Sequence, residues 1–298
     1  MPVQRRMTQG EEMEEALNIS QPDLGKIKLL REYFEKESEV SMAFLFGSQA
    51  RNLAKQSSDW DIGVYFKPKE YLELEKEGDY PKEGRLYNDL VDILKADVDF
   101  LVLNRARPSL AFSILNSGFP LVVKDRKLYL RLLCKTSYEA IDFWDFVYDF
   151  WKIRERVKSL SPEDRAILIE HLAFLEDEFK DLEEFKKLTW DEYRKDRFKR
   201  RNVERWVENL VMASLDIAKI TLASEKKEIP QTYKDTLKIL GLLYFDSSFA
   251  ERFSQFAELR NIVVHEYLDL KWGKIKNFVG EAENLYPEFI ERIKKIIK

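Results

Sequence analysis

A chain of 298 residues with 45% hydrophobic and 13% aromatic side chains can fill two sizeable cores, so a soluble globular protein of two domains is expected and a disordered one is excluded. Charged residues make up 35% of the chain but nearly cancel, to a formal net charge of -4, so no global basic field exists and any RNA-binding surface must be local. No apolar run reaches the length of a bilayer span and Met1 to Glu15 is polar, which argues against a membrane span or a signal segment and points to the cytoplasm. In chain order, residues 1–22 are expected to fray, and Asp23 to Glu37 predicts a helix with Leu24, Ile27, Leu30 and Phe34 on one side. Met42–Phe46, Ile62–Phe66 and Val98–Leu103 are short β-rich runs, with a helical stretch from Arg85 to Lys95 before the third. Lys67 to Gly84, rich in Lys and Glu, reads as a mobile insertion, and Pro108 to Asn116 as a helix closed by Gly118 before a last strand, Leu121–Val123. The alternation argues an α/β domain.

From Arg126 onward the pattern is helical. The run Phe143 to Trp151 is too aromatic for a solvated helix and is expected to be packed at the domain junction. Cys134, the single cysteine, sits after Leu130-Arg131-Leu132-Leu133 and is expected to be a buried, inert thiol. Ser161-Pro162-Glu163-Asp164 carries an N-cap, a proline at the first helical position and first-turn acids. Thr189-Trp190-Asp191-Glu192 reads as a capping box opening a long helix that ends near Ser224, with further helices after Pro230, Asp246 and Trp272. The domain boundary is expected between about 150 and 162, giving an α/β domain over 23–157 with a trailing linker helix and an all-α domain over 158–298.

Two constellations carry chemistry. Gly47-Ser48 is followed, after ten residues, by Asp59-Trp60-Asp61 at the start of a strand. The i, i+2 spacing puts both carboxylates on one face, as hard oxygen ligands for Mg²⁺, while Gly47 lets the backbone approach a phosphate and Ser48 adds a hydroxyl and an N–H. Asp99, on the next strand, is the third metal-binding carboxylate expected, placed to stabilise a second metal and the attacking oxygen, with Asp97 as the fallback on the same face. The second constellation is Arg260-Asn261-Ile262-Val263-Val264-His265-Glu266-Tyr267. Arg260 offers a permanent planar cation to a phosphate, His265 can move a ribose hydroxyl proton near neutral pH, Asn261 can orient either, and Tyr267 adds a hydroxyl. Together they meet the needs of metal-independent RNA cleavage. His171 has no such company and reads as structural. The run Arg194 to Arg201 holds six cations in eight residues, either a solvated helix face or a local phosphate-contacting patch, with Phe198 either core or exposed.

Over about residues 24–125 the chain resembles the minimal nucleotidyltransferases of the polymerase-β-like superfamily (MntA-like antitoxins), whose signature is Gly-Ser, ten residues, Asp-x-Asp. Gln49 and Asn52 stand where relatives commonly have Arg and Gly. The resemblance implies a mixed sheet, ATP as substrate and Mg²⁺ as cofactor. Residues 160–298 resemble the HEPN superfamily, specifically the HepT-type RNase toxins, through the Arg-x4-His-x-Tyr motif of Arg260, His265 and Tyr267. That resemblance implies a four-helix-bundle domain, RNA as partner and a homodimer. In such pairs the nucleotidyltransferase restrains the RNase by transferring AMP to the motif tyrosine, so the expectation is a fused toxin–antitoxin protein in which Ser48, Asp59, Asp61 and Asp99 serve adenylylation of Tyr267. Two competitors stand beside it: a small-molecule nucleotidyltransferase of the aminoglycoside-modifying kind, and an RNA- or nucleotide-binding regulator with decayed catalysis.

Overall fold

The computed structural model describes residues 24–50, 59–69, 71–76, 78–80, 82–156, 159–260 and 268–297. The chain divides into two compact units, Met1–Asp142 and Phe143–Lys298. The division falls inside one helix, α5 (Arg126–Arg156), earlier than the junction expected at 157/158. Its first turns bury Leu128 and Leu132 in the sheet unit's core, and its last turns bury Phe146, Phe150 and Ile153 in the helical unit's core.

The first unit is built on four strands, β1 (Val40–Phe46), β2 (Trp60–Phe66), β3 (Val98–Val102) and β4 (Phe119–Val123), in the order β3-β2-β1-β4. β1 pairs antiparallel with β2 and β4, and β2 pairs parallel with β3, so the sheet is mixed as expected. β1 is buried along both faces except at Phe46, which is why it reads as a continuous apolar run rather than an alternating one. One face of the sheet packs Ala43, Leu45, Ile62 and Val64 against α1 (Leu24–Lys36) and α3 (Glu83–Leu94) through Leu30, Phe34, Leu86 and Leu90. The other packs Met42, Phe44 and Tyr65 against α4 (Pro108–Ser117) and the start of α5. The period of two places Asp61, Gly63 and Tyr65 on that second side. Gly118 closes α4 as expected, its N–H donating to the Ile114 carbonyl with φ -73°.

The Lys- and Glu-rich stretch after β2, expected to be mobile, is instead clasped to the strand's far end. Glu73, 3% exposed, accepts hydrogen bonds from Lys69 N (2.8 Å), Tyr80 Oη (2.8 Å) and Asn104 Nδ2 (3.2 Å). Asn104 also bridges both backbone groups of Phe66, and the Tyr65 hydroxyl donates to the Glu73 carbonyl while accepting its N–H. Glu73→Ala is expected to destabilise the protein by about 2–4 kcal/mol, because buried donors lose their acceptor. Urea unfolding checks this, and a loss below about 0.5 kcal/mol would show that these bonds do not hold the loop.

The second unit is helical. α6 (Pro162–Phe179) starts as expected, with the Ser161 hydroxyl accepting from Asp164 N. After α7 (Leu182–Lys187), the Thr189 capping box does form, but it opens only α8 (Trp190–Lys195); the long helix α9 (Arg197–Ser224) has its own cap, Asp196, accepting from the N–H groups of Phe198 and Lys199. A capping box marks a start without fixing a length. α10 (Tyr233–Tyr244), α11 (Ser247–Ser254) and α12 (Leu268–Ile297) follow, α12 beginning before Trp272. α9 forms the spine of the core through Val203, Trp206, Val207, Leu210, Val211 and Leu215. Phe249, Phe253, Phe256, Phe278, Tyr286 and Phe289 complete the core as a chain of tilted and stacked ring contacts. The aromatic run on α5 is only partly packed: Phe146 and Phe150 are buried, whereas Trp144, Tyr148 and Trp151 are exposed. Cys134 is exposed, not buried, because the buried face of α5 runs through Leu128, Leu132 and Thr136. No described helix is long and apolar enough to cross a membrane.

Candidate functional site

The carboxylate site grows from the ends of three strands. β1 stops at Phe46, Gly47 turns with φ +68°, and a short helical turn, α2 (Gly47–Ala50), carries Ser48 back over β2. Asp61 lies opposite Phe46 in the antiparallel register and opposite Asp99 in the parallel one. The Ser48 backbone N–H donates to the Asp61 carboxylate. The approach is so close that a Cβ on Gly47 would stand 2.0 Å from Asp61 Oδ2, so the turn needs glycine for space as well as for its backbone angle.

Burial, then the negative charge of Asp99 and of Asp59, hold the Asp61 carboxyl above the usual carboxylate range, with the Ser48 N–H partly opposing the shift. Asp61 is half-buried, and Asp59 and Asp99 are exposed. Asp97 sits one residue before β3 and binds Trp60 N–H through its carbonyl. Among the described residues no three His, Cys, Asp or Glu side chains close into a ready metal cage. Mg²⁺ does not require one, since it is commonly held by one or two carboxylates and the phosphates of its substrate. The donor set fits it: hard oxygens on one sheet end, mutually repelling, beside a backbone cradle that a Cβ would fill. Gly47→Ala is expected to lower nucleotidyl transfer by on the order of 10²-fold through displacement of Asp61, and to destabilise the fold by about 1–3 kcal/mol. Initial rates and melting curves check both, and an alanine variant at parental rate would contradict the close approach.

The second constellation is described at its first residue alone. Asn261, His265 and Tyr267 lie outside the described residues. Arg260 follows a 3-10 turn, Gln255–Leu259, and is 8% exposed. Its guanidinium lies over the ring of Tyr233, with Cζ 4.3 Å from the centroid, and its Nε donates to Met212 Sδ at 3.0 Å. Nothing in the sequence points to Tyr233 or Met212, which stand 27 and 48 residues from the arginine. His171 is half-buried on α6.

In the basic run, Arg194 and Lys195 pair with Asp191 and Lys199 with Glu192, while Arg200 binds the carbonyls of Tyr193 and Arg194. Most of the local charge is thus already engaged, as on a solvated face. Phe198 is 79% exposed and so is not core.

Residues 28–127 match the family model described as polymerase beta nucleotidyltransferase, and residues 175–296 the model described as ribonuclease HepT-like. A solved structure described as a toxin–antitoxin with AMP-PNP aligns at 22% identity over 41% of this chain and 87% of its own, with a TM-score of 0.31. No curated protein matches the chain.

Proposed function

We propose that this chain, which joins a nucleotidyltransferase segment of the polymerase-beta family to a HepT-like ribonuclease segment, is a toxin and its antitoxin in one polypeptide, the first half adenylylating Tyr267 of the second. The observation that carries the first activity is the convergence of Gly47, Asp61 and Asp99 at one sheet end, where the Asp61 carboxyl feels the charges of Asp99 and Asp59. In the reading, the Tyr267 phenolic oxygen bonds to the α-phosphorus of ATP as the bond from that phosphorus to the β-phosphate oxygen breaks. Pyrophosphate leaves and the phenolic proton passes to the Asp99 carboxylate. Gly47 and the Ser48 N–H hold the turn against the triphosphate, and Asp59 and Asp61 would hold Mg²⁺. When bound, Mg²⁺ neutralises the phosphate charge that otherwise repels the incoming oxygen.

The RNase half uses no metal. His265 takes the 2′-hydroxyl proton while the 2′-oxygen bonds to phosphorus; the bond to the 5′-oxygen breaks, that oxygen leaves with a proton from water, and Arg260 balances the phosphate's negative charge. A homodimer through the helical half belongs to the same reading, and light scattering behind a sizing column reads it directly. Incubation with ATP and Mg²⁺ followed by intact-mass measurement tests the central step. An AMP-sized addition that maps to Tyr267 is expected; an unchanged mass, or AMP only at another residue, overturns it.

A further inference from the structure

The second half of α5 carries two apolar stripes, of which one is buried. Phe146, Phe150 and Ile153, spaced four and three apart, lie in the core of the helical unit. Trp144, Tyr148 and Trp151, also spaced four and three apart, are 51%, 61% and 41% exposed. Spacings of four and three average 3.5 residues, the repeat of a seam that a second helix follows at a shallow crossing angle. Large rings standing in water on one helix face, rimmed by charge, mark a place where another surface lands. α5 ends before the residues 175–296 that match the HepT-like model, so the stripe lies outside the matched segment.

The charges beside the stripe say what lands there. Asp145 follows Trp144 and Lys152 follows Trp151, both on the same edge of the stripe and both exposed. The Lys152 ammonium lies 4.1 Å from the Tyr148 ring centroid, along the stripe, while Asp149 is engaged by Lys219 of α9 at 3.8 Å. We infer that a second copy of this chain docks its own α5 against this stripe in antiparallel register. The inference rests on the homodimer reading above and deepens it by naming the surface. A two-fold axis between Tyr148 and Trp151 sets Tyr148 of each copy against the partner's Trp151, and Trp144 against the partner's Glu155 at the ends. In that register Asp145 lies beside the partner's Lys152, and the symmetry makes this pair twice. A parallel pairing would instead set Asp145 across from Ala140 and Lys152 across from Val147, with no opposite charge in reach.

Sedimentation equilibrium of the full chain tests this. The parent should dimerise reversibly. Asp145→Lys places lysine against lysine twice in each dimer, and Lys152→Asp places aspartate against aspartate twice. Each variant alone should raise the dimer dissociation constant by about tenfold or more. An equimolar mixture of the two should return it to the parental value, because every such contact in the mixed dimer is again lysine against aspartate. Trp151→Ser should raise the constant by about a hundredfold, since a ring is lost from both ends of the two-fold pair. Trp151 is exposed, so melting curves should stay parental, and should that chain fail to fold the two charge variants carry the test alone. Equal dissociation constants for the parent and both charge variants, or a weakening that the mixture does not relieve, overturns the proposal and leaves a homodimer through another surface. A parent that stays monomeric at about 100 μM overturns the homodimer reading as well, and leaves the stripe to another protein or to residues 1–23 of the chain.

Discussion

Asp61→Asn is expected to abolish nucleotidyl transfer and, in the same protein without metal, to raise the melting temperature at neutral pH. Loss of transfer of about 10³-fold or more follows if the carboxylate is a metal ligand, because the metal supplies several kcal/mol of charge stabilisation in the transition state. The stability gain follows from the sign of the Asp61 shift. Its carboxyl is harder to ionise in the folded protein than in the unfolded chain, through burial and the charges of Asp99 and Asp59. The folded state therefore binds the proton more tightly. Stability declines as pH rises from the ordinary aspartate range through the raised folded value, and the deficit is full above that. Asparagine removes the charge but keeps an oxygen that can accept the Ser48 N–H, so the variant should gain most at neutral pH and nothing in strong acid. Mg²⁺ with ATP should raise the melting temperature of the parent and not of the variant. An Asp61→Asn protein that melts lower than the parent at pH 7, or transfers at the parental rate, would show that Asp61 is a structural acceptor only. Asp99→Ala should impair transfer more than Asp97→Ala, since Asp99 stands directly across from Asp61 while Asp97 precedes the strand.

What the sequence made legible was whatever is written in local pattern. The strands around Ala43, Ile62 and Phe100 follow from short β-branched and aromatic runs, and the parallel pairing that sets Asp61 beside Asp99 follows from a helix, α3, lying between β2 and β3. The Ser161 and Thr189 caps were readable because a cap is made by residues three apart. What escaped depends on partners far along the chain. Glu73 looked like one more solvated charge in a Lys/Glu stretch; its acceptor role is fixed by Asn104, 31 residues later, and by Tyr80. Cys134 looked buried by its neighbours' composition, yet a helix buries one stripe and the cysteine is off it. Trp144, Tyr148 and Trp151 are exposed for the same reason: aromatic density says nothing about which side of a helix faces the core. The contact of Arg260 with Tyr233 is of this long-range kind as well.

Disabling the nucleotidyltransferase half should release the RNase half, and this is where the fused-pair reading parts from both competitors. AMP on Tyr267 would put a phosphate and an adenosine two residues from His265 in sequence, within the motif whose arginine is proposed to meet the RNA phosphate. A tethered phosphodiester of the same charge as the RNA backbone competes for Arg260 at an effective concentration that free RNA cannot match. The Asp59→Ala chain, unable to attach AMP, is therefore expected to cleave RNA and to inhibit growth when expressed, by a margin of tenfold or more over the AMP-bearing parent, given about 1.4 kcal/mol for each factor of ten. Adding His265→Ala should silence it, because the base for the 2′-hydroxyl is gone. Tyr267→Phe should block AMP attachment, whatever it does to cleavage. A small-molecule nucleotidyltransferase would show none of these links, since Asp59→Ala would lose its activity and unmask nothing. Intact RNA in the presence of folded Asp59→Ala protein, or cleavage that survives His265→Ala, would break the connection between the two halves even with nucleotidyl transfer established.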